Sequence, residues 1–186
     1  PPEQIELGRQ YSDALFGKVV ELVGRALDAL APAQLTYTHG RSGVAMNRRL
    51  LTTNGYVIAP NADGPIDHDV PVLQVTGPDG KTKALVFGYA CHNTTLSDYE
   101  FCGDYAGFAQ EYVEEKHPGT VAMFVEGCGA DQNPTPRRTV DLAKQHGRAV
   151  ANAVEAALVA KLRPVQGPLR LAVGEATLEL EPPASM

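Results

Sequence analysis

The sequence predicts an α/β domain in which helices cover a mixed β-sheet, and three observations carry that reading. Segments of helical and strand period interleave along the 186 residues. Two strand-like segments, Lys83–Cys91 and Thr120–Val125, are apolar on both faces, as in the middle of a covered sheet. Each is followed by a polar loop, at the strand end where α/β sheets commonly carry their sites.

Taken in order, Glu6 to Leu30 places Tyr11, Leu15, Val19, Val23, Ala26, Leu27 and Leu30 at helical spacing, with Pro32 as its stop. Gln34 to Tyr37 alternates as a short strand and leads into the loop His39–Gly43. Residues 50 to 69 carry Asn54-Gly55, Ala59-Pro60 and Asp63-Gly64-Pro65, which predicts a long loop of the functional or mobile kind. Val70–Thr76 and Lys83–Cys91 read as strands joined by the turn Gly77-Pro78-Asp79-Gly80. The second of these delivers His92.

Asp104 to Lys116 is a helix with Tyr105, Phe108, Ala109 and Tyr112 on one face, stopped at His117-Pro118-Gly119. Thr120–Val125 is a strand, and Gly127 to Pro136 is the loop that follows it. A long helix is expected from Thr139 to about Leu162, with Val140, Ala143, Ala149, Val150, Val154, Ala157 and Leu158 inward and His146 on the polar side. Leu169 to Leu180 alternates and predicts a last strand with a bulge near Gly174. Boundaries of one domain are expected near residues 5 and 180.

Composition bounds the function. The net charge of −6 argues against a nucleic-acid backbone as partner, and only Arg48-Arg49 and Arg137-Arg138 offer paired cations. Apolar residues make up 44% of the chain, yet none of its apolar runs reaches the roughly 18 residues a membrane span needs. A start without Met or signal-peptide pattern is that expected of a processed chain or a fragment. Three cysteines are too few for a disulfide scaffold; Cys102 and Cys128 either pair or stay free.

Two segments concentrate the chemistry. His92 ends a buried strand before Asn93-Thr94-Thr95, placed to bind a metal, to act as acid or base, or to bond a backbone carbonyl. Gly127 to Pro136 offers backbone N–H groups at Gly127 and Gly129 for an anion or a polarised carbonyl. It also holds Asp131, Gln132 and Asn133; the plain reading is a tight strand-to-helix connection with Asp131 capping backbone donors. Cys128 beside His92 would make a thiol nucleophile, although a cysteine after a buried strand is also a common small hydrophobe. Arg48 or Arg49 could clamp an oxyanion, or could be solvated surface cations. There is no HExxH and no paired CxxC, so no self-contained zinc motif is present.

Several of these segments, in order, resemble the N-terminal catalytic domain of the neutral/alkaline (non-lysosomal) ceramidases and related bacterial proteins. Val44-Ala45-Met46-Asn47-Arg48 resembles the family's Asn-Arg segment, and Gly88–Thr95 its strand ending in a zinc-binding histidine. Asp104-Tyr105-Ala106-Gly107 is similar to the helix opening that follows, and Val125 to Pro134 to the Gly-Asp-x-Ser-Pro segment of the active site. The resemblance implies hydrolysis of the amide of an N-acyl sphingoid base by a zinc-bound water. It implies His92 as a zinc ligand, Arg48 at the substrate oxygen or the water, and Asp131 in the site wall. Asn47, Gly129, Gln132 and Asn133 are then expected to face the substrate, a lipid-like amide, and an exported location would follow the family.

Asn133 stands where the family has serine, and only one of four zinc ligands is matched. The chain is therefore expected to be the middle piece of a larger hydrolase, or of a relative with another substrate. Two other readings stay open: a binding or structural domain that keeps the fold without the chemistry, and a cysteine hydrolase using Cys128 and His92.

Overall fold

The computed structural model describes residues 2–168 and 170–179. The expected α/β architecture is present: three helices and nine strands, of which five form one mixed sheet in the order β7-β6-β5-β1-β9. α1 (Pro2–Asp28) leads into β1 (Gln34–Arg41). β1 pairs antiparallel with β5 (Asp69–Thr76), β5 antiparallel with β6 (Thr82–Tyr89), and β6 parallel with β7 (Val121–Glu126). The parallel pair needs a crossover, and α2 (Asp104–Lys116) supplies it.

β6 lies inside the sheet between β5 and β7, whereas β7, expected from its sequence in the middle of a covered sheet, is an edge strand with Val121, Met123 and Val125 exposed. One face of the sheet packs Leu85, Phe87, Tyr89, Val70, Val72 and Ala122 against α2 and α3 (Val140–Leu158). The approach is closest at Gly40, where a Cβ would run into the Ala153 carbonyl of α3. Thr139 caps α3, its side chain accepting a hydrogen bond from Leu142 N at 3.1 Å. The opposite face carries Tyr37, Pro71, Leu73, Val86 and Val125 around an apolar hollow of about 340 Å³, and it has no covering layer among the described residues. α1 is likewise uncovered: Leu15, Val19 and Val23 are each about half exposed, and Tyr11 stacks on Phe101 at 5.9 Å.

Several expectations are corrected. The stretch 50–69 is not all loop. Arg49–Thr52 (β3) and Gly55–Ile58 (β4) form a hairpin about Asn54-Gly55, and the loop proper begins at Ala59. Residues 170–179 form no strand, and Leu169 and Leu180 lie outside the described residues; Arg163–Val165 (β9) takes the place beside β1 instead. His146 is buried, and its Nε2–H donates to Pro136 O at 2.7 Å. Val140 and Ala149 face solvent, because the apolar stripe of α3 runs through Ala143, Val150, Val154 and Ala157. All three cysteines are free, so no Cys102–Cys128 bridge forms.

Candidate active site

β6 and β7 run parallel, so their C-terminal ends emerge side by side and deliver His92 and the 127–136 loop to one place. A short strand locks them to the rest of the chain. Gln132–Pro134 (β8) pairs antiparallel with Ala45–Asn47 (β2), which puts Arg48 directly over the loop. Tyr89 pins β2 from below, its hydroxyl accepting from Ala45 N and donating to Ser42 O, both at 2.9 Å.

The ring of His92 is held on both nitrogens. Nδ1 lies 2.7 Å from Gly129 O, and Nε2 lies 3.1 Å from Nη2 of Arg48. A carbonyl cannot donate and a guanidinium cannot accept, so Nδ1 carries the hydrogen and Nε2 presents its lone pair to Arg48. The Gly129 carbonyl also accepts from Gln132 N at 2.9 Å. Its position requires glycine: a Cβ there would meet Cys91 N at 2.6 Å.

Arg48 is fixed on all three guanidinium nitrogens. Nε donates to Ala130 O at 3.1 Å, Nη1 to Asn133 Oδ1 at 3.2 Å and Nη2 to His92, while its backbone N–H donates to Asp131 O at 2.7 Å. Five N–H groups serve three bonds, so one remains on each terminal nitrogen. Asn133 Oδ1 additionally accepts from Thr94 Oγ1 at 3.3 Å.

The remaining expected residues serve mostly as supports. Asn47, 2% exposed, donates from Nδ2 to Pro65 O and Asp131 Oδ2 and accepts at Oδ1 from Arg49 N. Gln132 is buried and accepts at Oε1 from Asp67 N, tying the 59–68 loop to the site. Asp131 lines a wide hollow of about 510 Å³ with Arg49, Tyr56 and Asn61. The anion nest expected at Gly127 and Gly129 is absent: their N–H groups are engaged by Tyr89 O and Gly127 O, because both residues turn inward to meet β6. Cys128 is exposed with no hydrogen bond to His92, whose nitrogens are both occupied. His39, His68 and His117 bond Asp69, Ser42 O and Glu155, apart from this place.

Residues not singled out from sequence complete the surroundings. Tyr56 and Ile58 reach the two hollows from the β3–β4 hairpin, whose Asn54-Gly55 between two apolar segments is a strong hairpin signal.

Comparison with known proteins adds the fold. No family profile matches the chain, and no curated protein sequence does. The chain is similar in structure to the neutral ceramidase from Pseudomonas aeruginosa, with a TM-score of 0.64 and 22% identity over 78% of this chain and 26% of that one. It is also similar to a ceramidase complexed with C2, with a TM-score of 0.61 and 22% identity over 73% of this chain and 23% of that one. The chain thus spans about a quarter of the length of the ceramidases it resembles, and has a ceramidase-like fold.

The donor set does not by itself fit zinc. A zinc site takes about four ligands. Among the described residues no group of three or more His, Cys, Asp or Glu side chains lies close enough to hold a metal, and the one lone pair on offer, His92 Nε2, is capped by Arg48.

Proposed function

We propose that the chain carries the substrate-facing part of a ceramidase-type amide hydrolase. The observation that supports this reading is the junction of Arg48, His92 and Asn133 at the ends of two parallel strands, in a fold shared with two ceramidases.

Amide hydrolysis needs a donor for the carbonyl oxygen as it becomes an oxyanion, and a group that raises the nucleophilicity of water. The free N–H groups of Arg48 supply the first, from a guanidinium already fixed on three sides. His92 Nε2 supplies a lone pair at the same point, the atom through which an imidazole takes a proton from water or ligates a metal. At rest Arg48 holds that lone pair. A substrate oxyanion competing for Nη2 releases it. Were zinc bound, His92 would be the one ligand this site supplies, and the metal would polarise the amide carbonyl and activate a water. Asp131 forms the wall of the wide hollow, where an N-acyl chain has room.

The test is hydrolysis of an N-acyl sphingoid amide by the protein, with its zinc content measured alongside. Hydrolysis that falls about 100-fold or more on Arg48→Ala supports the reading. Hydrolysis indifferent to both Arg48→Ala and His92→Ala refutes it. Zinc content unchanged by His92→Ala removes the ligand role.

A further inference from the structure

We propose that the crevice between Arg48 and Arg137 is a carboxylate site, so that among N-acyl amides the protein prefers one with a carboxylate close to the scissile bond. This deepens the reading of Arg48 given above and rests on it.

The crevice measures about 50 Å³. Ile58 and Pro60 contribute apolar lining, and Arg48, Asn133, Thr135 and Arg137 polar lining. Both arginines are half-buried, and among the described residues neither has a carboxylate within ion-pair distance. Two guanidiniums lining one crevice repel each other, and partial burial strengthens that repulsion. In a chain of net charge −6 a counter-ion from the protein itself would be easy to provide. None is provided, and the charge is left for something else.

Several donors here are left over. Among the described residues Arg137 makes a single long hydrogen bond, from Nη1 to Thr94 O at 3.4 Å, so Nε and Nη2 are not engaged. Arg48 keeps one N–H on Nη1, beside Asn133. Asn133 turns its Oδ1 to Arg48 and Thr94, so its Nδ2 donors are left over. A planar carboxylate matches a guanidinium fork bidentately and carries no proton to clash with these donors. At about 50 Å³ the crevice suits a compact group rather than a long alkyl chain. The apolar lining suits the methylene next to the carboxylate.

The experiment is calorimetric binding of N-hexanoylglycine and of its neutral counterpart N-hexanoylethanolamine, to the protein and to Arg137→Gln. The acid is expected to bind at least tenfold more tightly than the neutral amide, with its affinity falling as salt is raised. Arg137→Gln should abolish the preference and leave the neutral amide's affinity unchanged; Arg137→Lys should restore part of the preference and shows that the site remains folded. Equal binding of the two amides, no binding of the acid, or a preference that survives Arg137→Gln overturns the proposal. The hydrolase reading fails separately: a carboxylate preference without hydrolysis of either amide keeps the site and discards the reaction. Hydrolysis lost in Arg48→Ala without a carboxylate preference does the reverse.

Discussion

Nη2 of Arg48 donates to Nε2 of His92 across 3.1 Å, although the two residues arrive on different elements of the fold. His92 comes off the end of β6, Arg48 off β2, and the contact exists because β8 holds β2 against the loop after β7. The bond fixes the imidazole tautomer from one side as the Gly129 carbonyl fixes it from the other. A site residue and its orienting partners are thereby set without any bound ligand.

Arg48→Lys should fare nearly as badly as Arg48→Ala. Lysine keeps the charge but cannot reach Ala130 O, Asn133 Oδ1 and His92 together from a planar fork. We expect at least a tenfold loss of amide hydrolysis for Arg48→Lys, read from initial rates on a chromogenic N-acyl amide. Wild-type rates in the lysine variant would show that charge alone suffices.

Asn47→Ala should destabilise the domain by about 2 kcal/mol, because a buried side chain with three hydrogen bonds is lost and its partners stay behind. Urea denaturation followed by circular dichroism measures this. A shift within error would mean that water replaces the amide at Pro65 O and Asp131.

Alkylation should sort the three cysteines. Cys102 and Cys128 are exposed; Cys91 is buried, and burial pushes its thiol up to about 12. Only the thiolate reacts. Iodoacetamide at pH 8 should label Cys102 and Cys128 in the folded protein and reach Cys91 only in urea, as mass spectrometry of the peptides will show. Selective, fast labelling of Cys128 would revive a thiol nucleophile.

Stability should decline on the alkaline side. Burial raises Cys91 from 9.0 to about 12 and Tyr89 from 10.0 to about 12, and it raises Tyr105 as well. Each group is neutral when protonated, so the fold favours the protonated form and the unfolded chain gives up its proton first. The contribution is intact below about pH 9 and is lost progressively as the pH rises toward 12. The urea midpoint should therefore be lower at pH 10.5 than at pH 8; Tyr89→Phe should show a smaller drop. A midpoint flat across that range would contradict the assignment.

Much of this was legible in the residues, for reasons that particular elements make plain. The α2 span follows from its apolar spacing and its His-Pro-Gly stop, and β6 from the apolar run Ala84–Cys91 that overlaps it. What periodicity could not show was pairing between distant segments. β2 and β8 are three residues each, too short for a pattern, and they exist only because they meet. That meeting decided which residues face the cleft and which hold it up. Asn47 and Gln132, expected at a substrate, are buried and hydrogen-bonded to the loops around them, and Asn47 also lines the hollows beside Arg48 and Asp131. The β3–β4 hairpin was missed for a different reason: Pro60, Asp63 and Pro65 just beyond it made the whole stretch look irregular.

The β2–β8 ladder has a consequence for when the site comes into being. Arg48 and Asn133 are 85 residues apart, and His92 and Gly129 37 apart. Closing such loops costs entropy that three-residue strands cannot repay on their own, so the ladder forms only once the large sheet has brought its ends together. A ribosome must have released the residues beyond Pro134 before the Arg48–His92 contact can appear. The cleft thus depends on the large sheet being in place, which makes ligand binding at Arg48 a reporter of whether the whole domain is folded.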